Sequence, residues 1–172
     1  GVERVLADAV ADGRILGYGA SITTVDGARR VLEGTDASAL QVQASLADRR
    51  HARDGVLAEA NRRGVVVFAR SIFLQGALLM SPDDLPAHLA GLAPGLARLD
   101  SIASDLGLGR RELLLAAMLH DPTIDSLVVG CETPAQVLAN AMAGSRGPVE
   151  IDPELFADMP DAVLDPWRWP RS

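Results

Sequence analysis

SLVVGCETPAQVLANAMA, residues 126–143, carries a short apolar run straight into a helix start. Ser126 to Val129 is short, β-branched and apolar on both faces, which suits a parallel strand buried between a core and covering helices. Thr133 then stands at a cap position, Pro134 at the first helical position where its missing N–H costs nothing, and Gln136 at the capping-box position. A helix N-terminus just past the C-terminal end of a strand gathers free backbone N–H groups and the positive end of the helix dipole. Such a turn either holds an anion or simply starts a helix.

Working outward, three earlier runs have the same character: Ile15 to Ala20, Ala39 to Val42 and Val65 to Ala69. Between them the spacing predicts amphipathic helices at Asp26 to Leu32 and Asp54 to Arg63. A two-helix connection, Leu92 to Leu106 and Arg110 to His120, precedes the last strand. A further helix, VERVLADAVADGR, opens the chain. The alternation implies right-handed βαβ crossovers and a parallel sheet, either an open doubly wound sheet or part of a closed barrel. Residues 1–150 are expected to form this α/β unit. Residues 151–172 contain four prolines and both tryptophans, so they read as an irregular tail whose indoles dock on the body, or else as an exposed tail.

The 172 residues, 48% hydrophobic, suffice for one domain with a sizeable core. A net charge of -7 without a basic stripe argues against nucleic acid as a partner. No apolar stretch reaches the roughly 18 residues of a membrane span and no signal-peptide layout is present, so a cytoplasmic location is expected. A lone Cys131 excludes an internal disulfide, and no Cys/His cluster has metal-ligand spacing. His51, His88 and His120 read as helix-surface or helix-end residues. All sixteen basic residues are arginine, so chemistry that needs an amine of tunable pKa is closed to this chain alone. The start at Gly1 suggests the tail of something longer.

Four phrases, in order and with matching spacing, resemble the aldo/keto reductase family: ILGYGAS its fifth barrel strand, ALQVQASLADRR the sixth, GVVVFARSIFLQGALLM the seventh, and DSLVVGCETPAQVLANAMA the eighth with its cofactor-binding helix. The resemblance runs from about Gly13 to Ala143 and is strongest to a bacterial subgroup with an RSxFLQGxLL phrase. It implies the C-terminal half of a (β/α)8 barrel, the fold of a family that uses NADP(H), less often NAD(H), to reduce aldehydes and ketones across the C-terminal mouth of the barrel.

On that resemblance, Ser21 and Gln41 would bind the nicotinamide carboxamide, with Ile22 in place of the family's asparagine. Arg70 takes the place of the aromatic residue that stacks beneath nicotinamide, and a planar guanidinium can stack there or contact phosphate. Ser71, Gln75 and Gly76 would wrap the pyrophosphate. Gly130, Gln136 and Asn140 would hold the adenosine end. NADP is the expected cofactor; Glu132 near the 2′-phosphate region and Ala139 in place of a frequent glutamate leave NAD as the alternative.

The family's acid is a tyrosine assisted by lysine and aspartate, with a histidine orienting the carbonyl, and all four lie on strands two to four. None of them is matched here. The only tyrosine, Tyr18, falls inside the predicted first strand and in the core, and no lysine stands beside it. The chain alone is therefore expected to be inert toward carbonyls. It is expected either to act with an N-terminal half-barrel carrying that acid or to pair with itself. The other readings are a noncatalytic nucleotide-binding half-barrel or regulatory subunit, and an unrelated open α/β protein, although GYGAS has neither a GxGxxG nor a GKS/T pattern.

Overall fold

The computed structural model describes residues 1–145, 147–156 and 159–170. Its frame is a parallel four-stranded sheet of β1 (Gly19–Ile22), β2 (Ala39–Gln43), β3 (Val66–Arg70) and β4 (Ser126–Val128), in that order. Helix α1 (Val2–Ala11) precedes β1, α2 (Val25–Gly34) links β1 to β2, α3 (Arg50–Arg53) and α4 (Val56–Arg62) link β2 to β3, and α5 (Ala93–Asp105) and α6 (Arg110–Leu119) link β3 to β4. Helix α7 (Pro134–Gly144) follows β4, and a short α8 (Asp161–Leu164) lies in the tail.

Strand alternation divides the sheet into two unlike faces. Leu40, Val42, Val67 and Ala69 have no exposed surface and pack under the helices. On the other face, Ser21, Gln41, Phe68 and Ser126 stand in one row by register. Gln43, Arg70 and Val128 form the next row toward the strand ends. Val66 and Val128 on this inner face are 40% and 43% exposed. Within the described sheet β1 pairs only with β2 and β4 only with β3, so both outer edges are open.

Two predicted elements differ from those observed. The first strand is Gly19–Ile22, not Ile15 to Ala20. Its register is set by β2, whose Leu40 and Val42 must be covered, and Ala20 and Ile22 are the residues opposite them. Ile15 is instead used in the turn after α1, where its N–H donates to Ala9 O, and Leu16 is fully exposed. The helix expected over 54–63 is α4, and the difference is a short α3 that precedes it, separated from it by Gly55, which adopts φ 85°, a left-handed conformation that ends one helix before the next begins.

The tail docks. Phe156 is 2% exposed and lies where α5 carries Gly95; a Cβ at Gly95 would come within 2.2 Å of its ring. Leu164 O accepts from Gln43 Nε2, Arg50 pairs with Asp161 at 3.3 Å, and Arg53 pairs with Glu154 at 3.1 Å. Of the two indoles only Trp169 packs, donating Nε1–H to Val163 O at 3.1 Å and tilting against His88. Trp167 is 79% exposed, because Asp165 and Pro166 begin a turn that directs it away from the body.

Candidate functional site

The C-terminal ends of β3 and β4 open into a cleft of about 610 Å³. Arg70 ends β3, and the loop behind it is tightly wound: Ser71, Leu74 and Gln75 have φ of 60°, 47° and 54°, and Gly76 has φ 90°. Non-glycine residues in this region cost of order 1–3 kcal/mol each and persist only when their surroundings over-determine them. Here the surroundings are Ile72, Leu74 and Leu78, all buried, and hydrogen bonds from Leu74 N to Ser71 O and Gly76 N to Phe73 O. The loop is thus held with its backbone curled around the mouth of the cleft.

The opposite wall is the stretch that leads from β4 into α7. Thr133 caps the helix, its hydroxyl accepting from Gln136 N at 3.2 Å. Gln136 Oε1 accepts from Glu132 N at 2.7 Å, one residue before the cap, a variant of the capping box read from the sequence. Gly130, Cys131, Glu132 and Gln136 all face the cleft. Asn140, one turn further along, has its amide engaged at both ends: Nδ2 donates to Cys131 Sγ at 3.1 Å and Oδ1 accepts from Arg111 Nη1 at 3.1 Å.

The structure therefore brings Arg70, Ser71, Gln75, Gly76, Gly130 and Gln136 around one cleft. Ser21 and Gln41 form a separate pair on the inner face of β1 and β2, where Gln41 Nε2 donates to Ser21 Oγ at 3.0 Å. Ile22 points the other way, into the helix layer, and packs on the core. Arg70 also borders a second cleft of about 470 Å³ shared with Gln43, Gln75 and the docked tail, including Trp167 and Trp169.

Three residues of this region were not singled out in the sequence. Gln43 is two positions after Gln41 and so on the same face, a signal that period-two reading carries. Its amide is buried and donates to Asp48 Oδ2 at 3.1 Å as well as to the tail. Asp48, 1% exposed, takes both a Gln43 bond and a two-pronged pair from Arg50, at 2.9 and 2.8 Å. This pair raises the Arg50 pKa, chiefly through the Asp48 hydrogen bond. Arg111, near the start of α6, lies over the Phe73 ring at 5.0 Å and lines the cleft. Nothing in its sequence neighbourhood marks it.

Tyr18 lies before β1 rather than inside the strand, at the end of the sheet opposite the cleft. Its hydroxyl is buried without a hydrogen-bond partner among the described residues. Burial first, then the nearby Glu3 and Asp36 carboxylates, raises its pKa, which makes it a poorer acid. His51 is not a surface residue: it is 1% exposed, under the loop that follows β2, and burial lowers its pKa. His88 and His120 are exposed. Among the described residues no group of three His, Cys, Asp or Glu side chains is placed to hold a metal, and no helix is long and apolar enough to cross a membrane.

The requirements of a dinucleotide fit this cleft. Its phosphates need donors and close backbone approach, and the cleft offers two guanidiniums, the capped start of α7, and Gly76 and Gly130, where an added Cβ would meet nothing within 4 Å. Its volume is within the usual range for small-molecule sites.

A family model described as the aldo/keto reductase family matches residues 2–158. No curated protein matches the chain at a significant level. Among solved structures, the fold is similar to an aldo-keto reductase from Bacillus halodurans in its holo form, with TM-score 0.68 and 24% identity over 86% of this chain and 50% of that one. The apo form of that protein gives TM-score 0.71 and 23% identity over 97% and 59%. A thermostable aldo-keto reductase in complex with the inhibitor epalrestat gives TM-score 0.65 and 19% identity over 90% and 51%. At these identities the likeness is one of fold. The chain spans about half the length of the solved structures that it matches.

Proposed function

Because the chain belongs to the aldo/keto reductase family, we propose that its cleft binds the nicotinamide nucleotide of an NAD(P)H-dependent reductase of aldehydes or ketones, NADP before NAD. One observation carries the reading: residues far apart in sequence, Arg70 to Gly76 and Gly130 to Gln136, meet around a single cleft at the strand ends. Bound there, the nucleotide supplies hydride.

In this reading the chain's residues position and do not protonate. Gln41, its amide fixed by Ser21, presents a polar edge to the carboxamide on the inner face. The Ser71–Gly76 loop and the first turn of α7 hold the phosphates, and Gln136 and Asn140 hold the adenosine. Arg70, placed between the two clefts, holds charge next to both nucleotide and substrate. The docked tail, with Trp167 and Trp169, walls the substrate side. The proton comes from elsewhere: Tyr18 is at the wrong end of the sheet, and the chain has no lysine to lower its pKa. The general acid belongs to strands that would complete the barrel along the open edges of β1 and β4. The same open edges support assembly into a larger barrel or a homodimer, and a cytoplasmic location is proposed along with the family reading.

The test is a fluorescence titration of the natural full-length protein with NADPH and NADH, followed by nucleotide oxidation in the presence of an aldehyde. Binding with turnover is expected. Binding without turnover selects a noncatalytic nucleotide-binding module, the reading that the missing acid favours. Failure to bind either nucleotide overturns both.

A further inference from the structure

We infer that Asp48, which borders neither cleft, positions the docked tail and through it sets how tightly the second cleft holds its carbonyl substrate. The inference rests on the reading of that cleft as the substrate side and adds to it a residue that acts only through others.

The Asp48 side chain has no exposed surface. A carboxylate taken out of water is tolerated only when its oxygens are occupied, and Gln43 and Arg50 occupy them. Oδ1 accepts from Arg50 Nε at 2.9 Å and from Arg50 N at 3.3 Å, and Oδ2 accepts from Arg50 Nη2 at 2.8 Å and from Gln43 Nε2 at 3.1 Å. The loop that carries Asp48 is closed on itself, Asp48 N donating to Ser45 Oγ at 2.9 Å and Ser45 N to Asp48 O at 3.1 Å.

Both partners of this carboxylate also reach the tail. Gln43 Nε2 donates to Leu164 O as well as to Asp48, and Arg50 Nη1 pairs with Asp161 at 3.3 Å. An amide can present either its donor or its acceptor end, and only the donor end suits Leu164 O. The charge on Asp48 makes that choice, because a flipped amide would turn its oxygen on a carboxylate and a carbonyl together. The same charge fixes the Arg50 fork and leaves Nη1 facing Asp161. Asp48 thus orients both side chains that hold α8.

The wall of the second cleft hangs from α8. Trp169 Nε1 donates to Val163 O at 3.1 Å, beside Leu164, and Trp167 and Trp169 line the cleft with Arg70 and Gln75. Register places Gln43 next to Arg70 on the neighbouring strand, so the latch and the cleft share one end of the sheet. A tail released from Gln43 and Arg50 widens the second cleft and leaves the first, which it does not line, as it was.

In the natural full-length protein, NADPH binding and benzaldehyde reduction by NADPH would be measured for wild type and for Asp48→Asn, which keeps the size of the side chain and removes its charge. KM for the aldehyde should rise about tenfold, while kcat and NADPH affinity hold within about twofold. Unchanged NADPH binding also reports that the variant is folded. Trypsin should cut the variant after Arg168 about tenfold faster, and Asp48→Glu, which restores the charge, should recover part of both effects. In chains ending at Asp165, which lack both indoles, Asp48→Asn should change KM no further. The control Glu59→Gln, which removes an exposed ion pair on α4, should match wild type. If Asp48→Asn fails to fold, Arg50→Lys, which keeps a cation on Asp48 and gives up the reach to Asp161, should show the same pattern with a smaller rise. Unchanged KM, an equal loss of NADPH affinity, or a rise in KM that persists in the shortened chain overturns the assignment. A wild type that binds NADPH and does not reduce benzaldehyde fails earlier, at the substrate reading itself, and the assignment falls with it.

Discussion

His51 and Gln75 carry costs that their neighbours impose. His51 is 1% exposed, its ring nitrogens have no hydrogen-bond partner among the described residues, and burial lowers its pKa against the pull of Asp48. Its folded pKa lies below the unfolded value of about 6.5, so the unfolded chain takes up the proton first as pH falls. Stability from this site is full above that value and is lost as pH drops toward the folded pKa. Thermal melts of His51→Leu between about pH 5 and 7.5 should show a flatter dependence than wild type; an unchanged slope would assign it to another group. Gln75 holds φ 54° in the curled loop. Gln75→Gly should therefore raise stability by about 1 kcal/mol in chemical denaturation while weakening nucleotide binding, because the side chain that lines both clefts is lost. A variant that is destabilised would show that the loop is not strained at this position.

At the scale of elements, the tail is fastened to α5 by Phe156 and to β2 and α3 by the bonds of Gln43, Arg50 and Arg53. Gly95 leaves the space that Phe156 fills, and a methyl group there would come within 2.2 Å of the ring. Gly95→Ala should cost about 1–3 kcal/mol from overpacking, and Phe156→Leu should recover part of that cost in the double variant because the two sites share one space. Additive losses in urea melts would mean that the tail moves away freely. The same fastening explains why Trp169 packs while Trp167 does not. The α8 turn, tied to Gln43 and Arg50, directs one indole at Val163 O and leaves the other in solvent.

At the scale of the molecule, a sheet with two open edges and a half-exposed inner face leaves apolar surface uncovered. On α7, which follows β4, Val137, Leu138 and Met142 are 55%, 63% and 61% exposed. The chain expressed alone should self-associate as concentration rises, and the double variant Leu138→Glu, Met142→Glu should reduce this in sedimentation velocity. A monomer at all concentrations would show that these surfaces need no cover. The sequence by itself determined the alternation of strands and helices, the parallel sheet, the Thr133 cap and the residues of the β3 and β4 phrases, because each is written in local periodicity and in residue types with fixed backbone habits. Tertiary structure alone decided the start of β1, set by register against Leu40 and Val42, the burial of His51, and the arrival of Arg111 at the cleft. These depend on which surfaces meet across long separations, and no local pattern of side chains records that.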